Sequence, residues 1–312
     1  WTVDGFALCT ATLSQKSPSI VSDGAGGAIV SWQDKRSSSH DIYVQRVDAT
    51  GTPLWTVDGV PLCMAAGGQM HAQIVSDGAG GAIVTWEDWR ISYADVYAQR
   101  VDASGIPQWT VNGVALCTAP SSVELPTICS DGAGGAIVTW ADKRDSPFTD
   151  FHDIYAQRVD ASGIPQWTVN GVALCTEANK QRDPRITSDG AGGAIVTWSD
   201  KRDGLDYAIY AQQMNASGIP QWSGDGVALC TNPVGFGTQV ISSDGDGGAI
   251  IAWTDLRAGG PDIYAQRVRN GEVLTAADKS PTLGALTVRD NYPDPFSVSS
   301  TVEFELGAPS MV

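Results

Sequence analysis

The chain has 312 residues, and its 19 Lys and Arg against 35 Asp and Glu leave a formal net charge of −16 at pH 7. So acidic a chain is a poor partner for nucleic acid, where Lys and Arg replace the counterions of the phosphates, and for anionic membrane surfaces. Its 42% of hydrophobic residues excludes a disordered chain, and no apolar run is long enough to cross a membrane as a helix.

Two short motifs recur together along the chain. The motif W-[TS]-x-[DN]-G begins at five tryptophans: Trp1, Trp55, Trp109, Trp167 and Trp222. The motif S-D-G-x-G-G begins at five serines: Ser22, Ser76, Ser130, Ser188 and Ser243. Both series advance by 54 to 58 residues, and each unit adds a second Trp and a Tyr in an [IV]-Y-[AV]-Q context. The chain is therefore built from five copies of one structural unit.

Each unit is predicted to contain four strands. In the first unit these are Pro18–Ser22, Gly27–Trp32, Ile42–Val47 and Trp55–Cys63, separated by Gly-, Asp- and Pro-rich turns. Four strands in a repeat of this length are typical of a β-propeller blade, so we expect an all-β, five-bladed propeller of four-stranded antiparallel blades. A stacked solenoid of β units is the alternative.

The ends of the repeat predict how the ring closes. The chain starts with a lone outer strand, Trp1–Cys9, and the fifth unit supplies three strands over Val240–Val268 before its usual turn is replaced. We therefore expect Trp1–Cys9 to complete the last blade. The predicted domains are the propeller at 1–269, a linker at 270–288 and a partial C-terminal β segment at 289–312.

The units differ mainly in two connections, which lie on the same face of a propeller. Loops on rigid scaffolds often carry function, so this face is the predicted binding face, although the loops could also differ only because little constrains them. The candidate ligand-binding residues there are His71, Trp89, Tyr93, Phe148, Phe151, Arg182 and Phe236.

Other residues recur in every unit and are interpreted as structural. They are the second tryptophans with the D-x-R pair that follows them: Trp32, Trp86, Trp140, Trp198 and Trp253, with Asp34 and Arg36 in the first unit. An anion or sugar site repeated in each blade is the alternative. The six cysteines lie too far apart in a propeller for disulfides, so we expect six free, mostly buried thiols.

Signals for catalysis are weak. An active site needs a group of acids, bases or nucleophiles that breaks the repeat, and the unit-specific acids Glu124, Glu177 and Asp183 are expected on loops of an acidic protein. The three histidines have no zinc spacing. The turn Asp244–Gly248 is faintly similar to a calcium-binding loop. It lacks the distant Glu that such loops use as a ligand. We predict no metal and no cofactor.

The C-terminal residues resemble a known family. The segment Asn291–Phe296, followed by Ser300–Leu306, is similar to the start of the C-terminal sorting domain of bacterial type IX secretion cargo, with Asp294 in place of the usual Asn. The repeats resemble uncharacterised W-D-x-R/Y-A-Q-R repeats of secreted bacterial proteins. These resemblances imply export to the outer cell surface or the medium, and we expect further residues before Trp1 and after Val312.

These observations lead to a functional prediction. Near-identical units favour a secreted, non-catalytic binding or structural module that self-assembles into extracellular fibres or binds glycans. Its expected partners are copies of itself or a cell-surface glycan, with no nucleic acid and no membrane insertion. The alternative is a polysaccharide-active glycoside hydrolase of propeller fold, for which fold alone is a weak argument.

Overall fold

A computed structural model describes residues 1–145, 151–204, 206–231, 239–274, 286–288 and 304–306. The chain divides into two compact units, Trp1–Val273 and Leu274–Val312. Among the described residues no helix is long and apolar enough to cross a membrane. The predicted boundaries at 269 and 288 stay a prediction.

The first unit contains five four-stranded antiparallel sheets, each with its strands in chain order. The first blade comprises β1 (Gln15–Ser22), β2 (Ala28–Asp34), β3 (Asp41–Val47) and β4 (Val60–Cys63). The second comprises β5 (Gln69–Ser76), β6 (Ala82–Asp88), β7 (Asp95–Val101) and β8 (Val114–Cys117). The third comprises β9 (Val123–Ser130), β10 (Ala136–Asp142), β11 (Asp153–Val159) and β12 (Val172–Cys175). The fourth comprises β13 (Gln181–Ser188), β14 (Ala194–Asp200), β15 (Ala208–Met214) and β16 (Val227–Cys230). The fifth comprises β17 (Val240–Ser243), β18 (Ala249–Asp255), β19 (Asp262–Arg269) and β20 (Glu272–Val273). The prediction of an all-β, five-bladed, propeller-like fold is confirmed.

The S-D-G-x-G-G motif forms the hairpin between the first two strands of each blade. In the first blade, Asp23 Oδ1 accepts hydrogen bonds from the amides of Ala25 and Gly27, both at 2.8 Å. A Cβ atom on Gly27 would lie 2.1 Å from the Val47 carbonyl oxygen, so only glycine fits there. The motif recurs because each blade needs the same carboxylate and the same close backbone approach.

The hydrophobic core lies between blades. Ile29 and Ile42 of the first blade pack with Ala82 and Trp86 of the second, so one face of each blade carries isoleucines and the facing side of the next blade carries a tryptophan. The side chain of Trp86 is fully buried there. The innermost strands β1, β5, β9, β13 and β17 follow one another in this stack.

Each of the first four inner strands is interrupted at the same repeat position. The pairing of β1 with β2 shifts between Lys16 and Ser19, and β5, β9 and β13 show the same irregularity. The residue in the bulge has a positive φ of 52° to 53° in all four blades, although it is never glycine: Ser17, His71, Leu125 and Asp183. A bulge changes the direction of side chains relative to the regular alternation of a strand. The positive φ strains these non-glycine residues, so four different side chains occupy one strained position that recurs in each blade.

The prediction that Trp1–Cys9 closes the ring is wrong. These residues form no strand, and the fourth strand of the last sheet is β20, which pairs with β19. The N-terminal segment instead contacts the first blade, where Trp1 Nε1 donates to the Ala49 carbonyl at 3.0 Å, just as Trp55 Nε1 donates to the Ala103 carbonyl in the next blade. The reason is that the outer segment marked by this tryptophan bonds to the blade that follows it, as Trp1, Trp55, Trp109 and Trp167 all do.

The inner strands follow one another in the stack of blades. Successive inner strands pack on one another from β1 to β17, whereas, within the described residues, β17 makes no comparable contact with β1.

The second unit is described only at β21 (Leu286–Val288) and β22 (Phe304–Leu306), which pair antiparallel. The N-Y-P-D-P-F segment lies outside the described residues. All six cysteines are free, with Cys9 half-buried and the other five buried, as predicted.

Candidate functional site

A small cavity of about 170 Å³ lies where three inner-strand bulges meet. It is lined by residues of β1, β5 and β9: Ser17, Pro18, His71, Ala72, Gln73, Leu125, Pro126 and Thr127. The strained bulge residue of each strand is among them, so the fold directs Ser17, His71 and Leu125 to a common space. Because these three side chains differ, the cavity breaks the repeat symmetry.

His71 is held by a buried carboxylate from the neighbouring strand. Its Nδ1 lies 2.9 Å from Glu87 Oε1, and the Glu87 side chain is almost fully buried whereas that of His71 is half exposed. The same Glu87 oxygen accepts the Leu125 amide at 2.7 Å, which links the second blade to the third. The hydrogen bond from His71 to Glu87 raises the pKa of His71 against the opposing effect of burial. With Nδ1 engaged, Nε2 is the nitrogen left for a ligand.

A second carboxylate whose charge acts on His71 belongs to Glu124, the residue before Leu125. Glu124 Oε1 lies 2.9 Å from Lys143 Nζ and 3.3 Å from Nε2 of the buried His152. His152 and then Lys143 lower the pKa of Glu124 to about 2, although burial opposes the shift. The negative charge of Glu124 also contributes to the raised pKa of His71. His71 therefore holds its proton more tightly than a free imidazole does, and Glu124 releases its proton more readily than a free carboxyl group does.

This separation of pKa values is what acid–base chemistry requires. One group tends to keep a proton and the other tends to release it, and such pairs assign the acid and the base in many enzymes. His71 can donate a proton from Nε2, Glu87 orients it through Nδ1, and Glu124 can accept a proton or stabilise positive charge.

A second, larger cavity of about 410 Å³ lies between the loops of the third and fourth blades. Its lining combines aromatic and cationic side chains: Phe151, Asn179, Lys180, Arg182, Lys201, Gly204 and Tyr207. The Arg182 guanidinium lies 4.7 Å from the centre of the Tyr207 ring, and Lys201 Nζ lies 5.6 Å from it. Arg182 Nε also lies 2.9 Å from Asp183 Oδ2.

The predicted ligand-binding residues are distributed over these places. His71 lines the small cavity, whereas Phe151 and Arg182 line the large one. Trp89 is half-buried against the core with no hydrogen-bond partner on Nε1 among the described residues, and Tyr93 is partly exposed. Phe148 and Phe236 lie outside the described residues.

The residues interpreted as structural form one repeated cluster. Asp34 accepts hydrogen bonds from Trp32 Nε1 at 2.9 Å and from two guanidinium nitrogens of Arg36. Arg36 also donates to the Asp58 carbonyl and lies 3.9 Å from the centre of the Tyr43 ring. The other tryptophans of the series bond to the corresponding aspartates: Trp86, Trp140, Trp198 and Trp253. The Asp244 carboxylate accepts hydrogen bonds from the amides of Asp246 and Gly248 and from Arg267, as the corresponding aspartates do in the other turns. The described residues contain no group of three side chains that could hold a metal ion.

Glu87 was missed by the sequence interpretation, although a signal for it exists. At the corresponding repeat position the other blades carry four uncharged residues: Gln33, Ala141, Ser199 and Thr254. Glu124 was noted as unit-specific but was treated as a solvated loop acid. Comparing units position by position along the first two strands of each blade, rather than along the loops, would have found Glu87 and given Glu124 more weight.

No protein-family model and no curated protein sequence matches the chain. Among solved structures it is similar to an ulvan lyase of polysaccharide lyase family PL25, with 9% identity over 82% of this chain and 68% of that chain and a TM-score of 0.58. It is also similar to an α-L-arabinanase of Penicillium chrysogenum, with 13% identity over 80% and 77% and a TM-score of 0.46. An endo-arabinase from Bacteroides thetaiotaomicron gives 16% identity over 85% and 97% and a TM-score of 0.44.

The prediction of a non-catalytic module is contradicted by this comparison. The ulvan lyase, at a TM-score of 0.58, shares the fold of this chain and is a polysaccharide-active enzyme. At such low identity the likeness shows the fold alone, so the chemistry has to rest on the residues of this chain.

Proposed function

We propose that this chain is a polysaccharide-active enzyme that cleaves glycosidic bonds by acid–base catalysis at the cavity around His71. The observation that carries the proposal is the His71–Glu87 pair, set in a cavity on the inner strands, where the charge of Glu124 acts on His71. His71 protonates the leaving glycosidic oxygen from Nε2. Glu124 acts as the base, on water in a hydrolysis or on the sugar in an elimination.

The large cavity supports an acidic sugar as substrate. Lys180, Lys201 and Arg182, the last of them paired with Asp183, line a cavity that also contains Phe151 and Tyr207. Sugar rings stack on aromatic faces, and guanidinium groups pair with carboxylates or sulfates through charged hydrogen bonds. In a chain with a net charge of −16, such a local concentration of cations favours a uronate or a sulfated sugar.

The activity is tested on panels of neutral and uronate-containing polysaccharides, by following new reducing ends and the ultraviolet absorbance of unsaturated products. Reducing ends without that absorbance indicate hydrolysis, and both together indicate elimination. Asn tolerates a positive φ, so His71→Asn preserves the bulge, and we expect it to lower kcat by about 10² to 10⁴. His40→Asn, which changes a histidine that does not line this cavity, is the control and should retain activity.

The pH profile tests the role of Glu87. A general acid works only while protonated, so activity falls as the pH rises through the pKa of His71. Glu87→Gln removes the charge that raises this pKa, and the alkaline limb of the kcat profile should move to lower pH. An unchanged limb would mean that His71 is not the acid.

Location outside the cell is part of the same proposal. Long polysaccharides do not cross membranes, and the C-terminal segment is similar to a type IX sorting signal. A fractionation of the producing cells, with the chain found in the medium or on the surface, is the expected result.

A further inference from the structure

The small and the large cavity lie at the same end of the strands. The large cavity is lined mainly by the connections between β10 and β11, between β12 and β13 and between β14 and β15. Because the antiparallel strands of each sheet follow chain order, these connections lie at the end where each inner strand begins. In the small cavity, His71 and Leu125 are each the third residue of an inner strand. Both cavities therefore belong to the same face of the first unit.

Strand β13 joins the two cavities on one side. Arg182 lines the large cavity. The carbonyl of Pro184, two residues further along, accepts a hydrogen bond from Thr127 Oγ1 at 3.4 Å, and Thr127 lines the small cavity. Two residues of extended chain span at most about 7 Å, so the two cavities are close neighbours.

Glu124 joins them on the other side. It precedes Leu125 of the small cavity, its side chain is 44% exposed, and its Oε1 lies 3.3 Å from Nε2 of the buried His152. His152 in turn follows Phe151, which lines the large cavity. A sugar chain with its cleaved bond at His71 can therefore pass over Glu124 and reach the large cavity.

Three repeat positions determine the charge of this region: the residue before the bulge, the residue after the second strand and the residue before the third strand. In the third blade they are Glu124, Lys143 and His152, and in the fourth they are Arg182, Lys201 and Tyr207. The third-blade residues satisfy one another, because Glu124 contacts both of its partners. In the fourth blade an arginine replaces this carboxylate, so the lysine there loses the partner that its counterpart has.

The fourth blade consequently holds two cations around one aromatic ring. The Arg182 guanidinium lies 4.7 Å and Lys201 Nζ lies 5.6 Å from the centre of the Tyr207 ring, which is within the range of cation–π attraction. Arg182 is also paired with Asp183, whereas Lys201 has no ion pair with any residue that the structure describes. Lys201 is therefore the cation of this cavity whose charge is left for a ligand.

We propose that Lys201 and Arg182, held against Tyr207, form a subsite for an acidic unit of the same sugar chain whose bond is cleaved at His71. The inference rests on the enzymatic function proposed above, and it assigns the preference for a charged substrate to Lys201. A carboxylate or sulfate group of the sugar pairs with the Lys201 ammonium group. Because this contact lies beside the reacting bond, it is the same in the ground state and in the transition state. Its loss should therefore raise KM and leave kcat unchanged.

Kinetics on one anionic polysaccharide and on its neutral form, made by carboxyl reduction or desulfation, test the subsite. Lys201→Gln should raise KM for the anionic form by about 10-fold, as expected for one charged contact, with the same kcat. On the neutral form the variant and the unmodified chain should have the same KM. Lys35→Gln is the matched control, because Lys35 has the same repeat position in the first blade and lines neither cavity. It should behave like the unmodified chain on both forms.

Binding measured without turnover separates this inference from the enzymatic function. Calorimetry of the His71→Asn chain uses oligosaccharides of galacturonate, of glucuronate and of sulfated galactose. We expect at least one of them to bind, and the added Lys201→Gln substitution to raise its Kd by about 10-fold. No binding by any of them, or a Kd and KM that Lys201→Gln leaves unchanged, overturns the subsite even where the unmodified chain cleaves polysaccharides. Binding that depends on Lys201 in a chain that cleaves no polysaccharide supports the anion site and contradicts the enzymatic function.

Discussion

Asp95 shows how one buried side chain can set a pH dependence. It starts β7 directly opposite Asp88 and is 2% exposed, and its Oδ1 has no hydrogen-bond partner among the described residues. Burial, and then the charge of Asp88, raise the pKa of Asp95 to about 6, whereas an unfolded chain has an ordinary Asp pKa of about 3.9. Between these values the folded chain keeps a proton that the unfolded chain has lost, so stability falls as the pH rises from about 4 to about 6.

Replacing Asp95 with Asn removes the group whose ionisation causes this loss of stability. We expect Asp95→Asn to raise the free energy of unfolding by about 1 to 2 kcal/mol at neutral pH and to have little effect near pH 4, measured by urea denaturation at both values. Asp34→Asn is the opposing control. Hydrogen bonds from Arg36 and Trp32 outweigh burial and lower the pKa of Asp34, so its loss leaves a partly buried guanidinium unpaired and should destabilise by about 3 kcal/mol. A stabilising Asp34→Asn, or an Asp95→Asn effect that grows toward acid, would contradict this account.

At the scale of elements, the stability of the hairpin between the first two strands of each blade depends unequally on its glycines. In the third blade it depends more on Gly135 than on Gly132. A Cβ on Gly135 would lie 2.3 Å from the Val159 carbonyl oxygen, whereas one on Gly132 would meet no atom within 4 Å, although its φ is +75°. Gly132→Ala should therefore cost only the strain of a left-handed alanine, about 1 kcal/mol. Gly135→Ala must also push β10 and β11 apart and should cost about 3 kcal/mol. Thermal melts of the two variants measure the difference, and equal costs would show that the close approach is not what selects glycine.

The elements were predictable from sequence to the extent that they repeat. The hairpin glycines and the alternating strands recur in every unit, so five copies of one pattern indicated the blades. The pairing partner of Trp1–Cys9 was not predictable, because the same tryptophan motif that marks an outer segment makes its hydrogen bond with the following blade. The site around His71 was only partly predictable, since the bulge that brings His71 toward Glu87 depends on strand register and not on a motif.

For the whole molecule, the position of a blade in the series determines how much a given isoleucine contributes to the free energy of unfolding. Ile209 and Ile263 occupy the same repeat position, but Ile209 is fully buried by the fifth blade and Ile263 is 77% exposed. At concentrations low enough for single chains, Ile209→Ala should lower the free energy of unfolding by about 2 to 5 kcal/mol, because it leaves a cavity between the fourth and fifth blades. Ile263→Ala should change it by less than about 0.5 kcal/mol. If the two substitutions instead cost the same in dilute solution, the fifth blade must be covered within the single chain.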